Sequence, residues 1–351
     1  MSLARDIADL GAVTARLDTV GASSGALGNR NLIINGAHQI WQRNTSTATI
    51  TNSSLPTVDR FRFYTGGATY TSTQSTDVPS GQGFSFSNKL DVSAADNSLG
   101  AGSFYVFRQR IEGSNCMPLC YGTSDAKTIT LSFWVKSNKT GVYGIALYKF
   151  DGTAYMYTRN YTINVANTWE KKEITITPTA GGTSFITNTA GQIANDNSHG
   201  LDVNFILSAG SQYTQGTDDS WSTNTNHYAT SSQINWMDST SNNFYITGVQ
   251  LEIGPKSTPF EHRSYADEFL RCARYYYKNL APVYTTQYGS NSICTTEFPV
   301  PMRNTPALSV VSGTSPTAFG GNSYAPYASM YVYYASSTGD AVSNYQADAE
   351  L

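Results

Sequence analysis

The sequence predicts an all-β protein built on an antiparallel jelly-roll β-sandwich, with a short N-terminal helix and a small C-terminal β tip domain. Three observations carry that expectation. Charged residues make up 13% of the 351-residue chain, well below the ~25% of ordinary soluble domains. Aromatic residues also make up 13%, led by 24 Tyr among abundant Ser, Thr, Asn and Gly; Tyr and Thr suit half-buried pleated surfaces, and Gly and Asn suit turns. Between Asn31 and Pro259 the chain also alternates apolar and polar residues over many short stretches separated by turn clusters, the period of a strand with one buried face.

The elements follow in order. Leu3, Leu10 and Leu17 recur every seven residues, with Val13 and Val20 three places after the last two and Ile7 on the same stripe. This is a short heptad seam, broken at Asp6, on a helix too brief to be stable alone. It predicts a segment that bundles with copies of itself or docks in a groove on another protein. The following GASSGALGNR has the composition of a flexible tether, so residues 1–30 are set apart from the body. Within it, Gly21-Ala22-Ser23-Ser24-Gly25 matches the G-x-S-x-G pattern of serine hydrolases, but that elbow needs a strand before it and a helix after it, and here a helix precedes. Residues 31–262 form the sandwich. VDRFRFYT, GFSFSNKLDV, FYVFRQRIE, KTITLSFWVK, WEKKEITITP and NFYITGVQLEI are its strands, and GVYGIALYKF-DG-TAYMYTRNYTI predicts a hairpin with Asp151-Gly152 in a tight type I′ turn. Residues 263–351 begin with a second helix, SYADEFLRCARYYYKN, capped by Ser264 with Asp267 three residues on. The tyrosine run then returns to strand. TTEFPVPMRNTPALSV and SMYVYYAS add strands to a tip too small for a large core, whose edges an oligomer would cover.

Other features narrow the function. A net charge of −3 without basic runs gives no support for nucleic-acid binding or for docking on an anionic membrane, and no apolar run reaches membrane-spanning length. Arg5, Asp6 and Asp9 interrupt the place where a secretion signal needs an apolar core, which leads to the expectation of completion in a cytoplasm. Cys116 and Cys120 have the wrong spacing for a zinc knuckle, and Cys272 and Cys294 stand apart without a histidine pair. The expectation is buried reduced thiols, no metal and no cofactor.

NLIINGAHQIWQR, TITLSFWVKSN, TWEKKEITIT and NNFYITGVQLEIG occur in an order that resembles jelly-roll carbohydrate-binding modules attached to glycanases. The pattern is more similar still to receptor-binding fibres of marine tailed phages, cyanophages included, which join such a domain to a segment like PFEHRSYADEFLRCARYYYK and an ending like ADAEL. The resemblance covers nearly the whole chain after Arg30. It implies a sugar-binding sandwich in a homotrimeric virion appendage, joined to a tail or head protein through the N-terminal helix and facing host surface polysaccharide. Glycanase modules often hold a structural calcium with acidic residues where this chain has Ala37, His38 and Gly248, and the resemblance stops short there.

Sugar rings stack on aromatic faces while amides and carboxylates bond their hydroxyls. The polar stretch SQYTQGTDDSWSTNTNHYATSSQINW gathers Tyr213, Asp218, Asp219, Trp221, His227, Tyr228 and Trp236, the first candidate glycan site. Trp134, within an apolar strand, is assigned to the core. The second candidate is the tip, with Tyr324, Tyr327, Tyr331, Tyr333 and Tyr334. Cleavage of a polysaccharide needs two carboxylates about 5–9 Å apart, whereas Asp218 and Asp219 are adjacent and in a strand would face opposite ways. The expectation is therefore binding without catalysis, on a tail fibre. A head or neck decoration fibre shares every one of these sequence features, and a depolymerase spike is the remaining alternative.

Overall fold

The computed structural model describes residues 29–51, 54–278, 283–284, 286–288, 291–313, 318–321, 328–334 and 342–351. The helix with Leu3, Ile7, Leu10, Val13, Leu17 and Val20 lies outside these residues, as do Tyr324 and Tyr327.

Two six-stranded antiparallel sheets pack face to face. The first has the order β1 (Ala48–Ile50), β3 (Tyr70–Ser75), β4 (Ser87–Val92), β12 (Asn243–Ile253), β6 (Ile129–Ser137) and β9 (Glu170–Ile176). The second has the order β11 (Ser220–Ser222), β8 (Tyr155–Ile163), β7 (Gly141–Lys149), β10 (His199–Ala209), β5 (Phe104–Glu112) and β2 (Arg62–Tyr64). The chain passes repeatedly between the sheets, as in a jelly roll. Alternation places Phe107, Phe133, Phe205 and Phe244 between them, with Phe107 stacked on Phe205 at 4.7 Å and Phe133 edge-on to Phe205 at 5.2 Å. Each such ring contributes about 1.5–3 kcal/mol through burial.

Every strand predicted for the sandwich forms, and β1, β3, β10 and β11 join them unpredicted. The β7–β8 hairpin is present with Lys149 opposite Tyr155, but its connection is five residues rather than a two-residue turn. Lys149 causes the difference: its buried ammonium donates to the carbonyls of Asp151, Thr153 and Ala190, and so organises a wider loop. His38 is buried against Phe61; burial lowers its pKa to about 3, outweighing a smaller contribution from the Ile246 backbone. Cys116 and Cys272 are buried free thiols, and Cys120 is a half-buried one.

The second helix spans Tyr265–Ala273, and the Ser264 hydroxyl accepts from the Asp267 amide at 3.2 Å, the predicted cap. After it, β13 (Tyr276–Lys278), β20 (Val342–Asp348) and β14 (Val283–Tyr284) form one sheet, with β17 (Ala307–Gly313) also paired to β20. β15 (Thr286–Tyr288), β16 (Asn291–Glu297), β19 (Ser329–Tyr334) and β18 (Ala318–Gly321) form another. The ADAEL ending does not project with the tip. It lies on the sandwich, where buried Glu350 pairs with Arg60 and, at 3.6 Å, with Arg43. Arg303 Nε donates to the Ala349 carbonyl at 2.7 Å, and Leu351 packs beside Ile34, Ile40 and Tyr275.

Candidate functional site

The outer face of the second sheet carries a strip of fixed polar groups. Phe107, Phe205 and Leu147 point inward, so the residues between them point out. The register sets Arg62, Arg108, Asn204 and Ala146 in one row and Arg110, Asp202 and Tyr148 in the next. Asp202 is fully buried and lies 3.2 Å from an Arg108 nitrogen and 3.8 Å from Arg110 Nε, with His199 on its other side. Arg108 also donates to the Tyr64 hydroxyl at 2.6 Å and lies 4.5 Å from that ring's centroid. Among the described residues, Arg108 Nε and Asn204 Oδ1 are buried without a hydrogen-bond partner.

Aromatic rings bracket the strip. Tyr64 stands on the β2 side, and Tyr148 stands on the β7 side with Phe150 5.6 Å away, edge-on. Phe150 is 47% exposed and stacks on His199 at 4.3 Å. Burial raises the Tyr148 pKa, with Asp202 adding to the effect, so its hydroxyl remains a neutral donor. Tyr64 and Tyr148 lie three strand intervals of about 4.8 Å apart across the sheet and four residues of about 3.4 Å apart along it, roughly 20 Å backbone to backbone.

The predicted loop reaches this face at two points. Tyr213 and Tyr228 pack on Phe104 at 4.8 and 4.6 Å and form one wall. Burial pushes the Tyr228 hydroxyl up to about 12, opposed by Arg108. The remaining loop candidates go elsewhere. Trp221 and Trp236 are core residues, 2% and 0% exposed, with indole nitrogens donating to the carbonyls of Thr177 and Asn243; neither presents a ring face to a sugar. Asp218 accepts from the Asn160 amide at 2.7 Å and from Arg159, and Asp219 accepts from the Tyr157 hydroxyl at 2.7 Å. Both tie the loop to β8. His227 Nδ1 lies 3.0 Å from the Ser222 hydroxyl, and burial lowers its pKa. Trp134 corrects the opposite way: it is half-buried on the outer face of the first sheet, because its neighbours Phe133 and Val135 take the inward positions. Of the tip tyrosines, Tyr331, Tyr333 and Tyr334 lie on β19.

Sequence reasoning missed Arg108, Arg110, Tyr148, His199, Asp202 and Asn204. Their signal was an acid and an amide two places apart inside the apolar run GLDVNFIL, a pattern that a buried strand accepts only when those groups have partners.

No protein-family model matches the sequence, and no curated protein matches it. Solved structures do. A putative sugar-binding protein from Bacteroides thetaiotaomicron is 11% identical over 64% of this chain and 100% of that one, with a TM-score of 0.37. A carbohydrate-binding module described as CBM4 is 14% identical over 63% of this chain and 98% of that one, with a TM-score of 0.29. The enzymatically active domain of bacteriophage CBA120 tailspike protein 4 is 16% identical over 64% of this chain, with a TM-score of 0.31, and the match spans 22% of the tailspike chain.

Proposed function

We propose that this chain is a non-catalytic glycan-binding fibre protein on the exterior of a tailed-phage particle, a homotrimer held to a tail protein through residues 1–30. It adsorbs to host surface polysaccharide through the outer face of the second sheet. The observation that supports this most is the Arg108–Asp202–Arg110 strip bracketed by Tyr64 and Tyr148. Rings at its two ends offer stacking faces for a short run of sugar residues. Between them, the partly exposed Arg110 guanidinium is already held in place by the buried Asp202 carboxylate. Such preorganised groups bond hydroxyls without a further ordering cost. The carboxylate of this strip, Asp202, is occupied by Arg108, Arg110 and His199, which suits binding better than acid–base work by two carboxylates. Single sites of this kind are weak, and three on one trimer gain roughly 10²–10⁴ in avidity. The fibre assignment is supported by the order of sequence motifs shared with phage fibres.

Tyr148→Ala and Arg110→Ala test the site, since both side chains are partly exposed. Each is expected to lower binding to host cells at least tenfold while the melting temperature stays within about 3 °C, a change under ~1 kcal/mol. Incubated polysaccharide keeps its chain length. Unchanged binding in both variants refutes the site, and shortened polysaccharide establishes an enzyme instead.

A further inference from the structure

We propose that the opposite face of the sandwich holds a second site, for one acidic sugar residue of the hexuronate class, formed by Trp134, Phe84, Phe260 and His262 with Lys171 as counter-charge. It extends the glycan-binding reading to a separate face and is tested independently of it.

The site begins with a backbone irregularity. The β12–β6 register shifts between Thr247 and Gln250, and Gly248 in that bulge has φ +63°, a left-handed conformation that glycine adopts freely. A Cβ there would stand 2.6 Å from Phe84 Cζ and 3.1 Å from Trp134 Cδ1. Glycine therefore does two things: it permits the bulge, and it lets the Phe84 and Trp134 rings both come close to the strand. Phe84, Phe260 and His262 close a triangle, with centroids 5.0, 5.1 and 4.9 Å apart. His262 Nε2 lies 3.0 Å from the Gln82 carbonyl, which fixes the ring at the rim. The resulting cavity is about 190 Å³, below the ~300–1,000 Å³ of drug-sized pockets and of a size for a single pyranose ring.

Charge selects the ligand. Lys171 stands opposite Trp134 in the register and lines the cavity. Its ammonium donates to Ser257 Oγ at 3.0 Å, and it makes no ion pair among the described residues. The neighbouring lysine differs. Lys136 lies over the rings of Tyr245 and Trp169 at 4.3 and 5.4 Å and is paired with Asp77, which also accepts from Trp169 Nε1 at 2.9 Å. One side of this aromatic shelf is thus neutralised internally; on the other, Lys171 and Lys256 both face the single Glu173 carboxylate, which leaves that side a positive charge in excess beside a ring-lined hollow. A hexuronate presents an apolar C–H face and a carboxylate on one edge. The face fits the rings, and the carboxylate reaches Lys171 as a charge-assisted bond.

The test is titration of the full chain with trigalacturonate, using neutral maltotriose as the control. Lys171→Glu, at an exposed position, is expected to keep the wild-type circular dichroism and to weaken trigalacturonate binding at least tenfold, and Lys171→Arg to retain it within threefold. Trp134→Ala is expected to weaken it comparably, and Tyr148→Ala on the other face to leave it unchanged. Wild-type affinity in Lys171→Glu, equal binding of maltotriose, or no binding of trigalacturonate overturns the proposal. Loss in Tyr148→Ala with retention in Lys171→Glu also overturns it, while supporting the site on the second sheet.

Discussion

Two tryptophans show how a single position in a pleat decides a role. Trp221 sits in DDSWSTN, among residues that read as a solvated loop, yet it is the inward member of the three-residue strand β11, opposite Tyr157. Its ring packs on Tyr157 at 5.3 Å and edge-on to Tyr121 at 6.3 Å. Trp134 sits in LSFWVK, among residues that read as core, and points out. Composition around a residue did not reveal which way it faces; the register did. Trp221→Ala is therefore expected to destabilise the sandwich by about 3–5 kcal/mol, as large aromatic truncations in cores do. Under conditions where the variant is still folded, its affinity for glycan should equal that of the wild type. Urea unfolding followed by circular dichroism measures the first quantity and cell binding the second. A loss of affinity without a loss of stability would return Trp221 to the binding surface.

Elements with strong local signals were legible in the sequence, and those fixed by distant partners were not. β5, β6, β9 and β12 alternate visibly, and the Ser264–Asp267 cap is complete within four residues. β10 was not legible because it is the central strand: β5 and β7 flank it, and the two polar residues that mark its outer face, Asp202 and Asn204, are 0% exposed and sit within an apolar run. The ADAEL ending is the clearest case. Its partners Arg43, Arg60 and Arg303 lie tens to hundreds of residues away, and a short run of small and acidic residues says nothing of them. Arg60 is buried under Tyr275, with its guanidinium carbon 3.4 Å from that ring's centroid, and also donates to the Arg110 carbonyl at 2.7 Å. Glu350 is its carboxylate partner, and both side chains are nearly inaccessible, 1% and 4% exposed. Removing one member of a buried pair strands the other charge and costs about 3–5 kcal/mol. Glu350→Ala should lower stability by that amount and expose the C-terminal segment to protease before the sandwich is cut. Replacing both, as Arg60→Met with Glu350→Leu, should restore most of the loss. Equal stability of Glu350→Ala and wild type would show that the ending is not a clasp.

At the scale of the whole molecule, the proposed fibre role requires a segment that attaches the body to a particle. The described chain enters the body at Asn29, beside the capped helix. The Asn29 and Asn31 amides both donate to the Glu261 carboxylate, at 2.7 and 2.8 Å, and Arg271 donates to the Asn29 side chain. Arg30 Nε bonds the Thr258 hydroxyl at 2.8 Å. These contacts, all among the described residues, hold the chain at Asn29. On the proposed fibre reading, the Leu3, Leu10 and Leu17 seam and the glycine- and serine-rich sequence after it are the attachment segment, expected to act through a bundle of three copies or a groove on a tail protein. On the same reading, a tether of that composition would let the body tilt at a cell surface at little energetic cost. A chain beginning at Asn29, which keeps the Glu261 clamp, is therefore expected to fold, to remain trimeric through its C-terminal strands by light scattering, and to bind cells like the full chain. It should be missing from purified particles when the full chain is replaced by it. Particles carrying the shortened chain at normal occupancy would place the attachment elsewhere, and a monomeric mass for the shortened chain alone would make the seam the device that holds the three copies together.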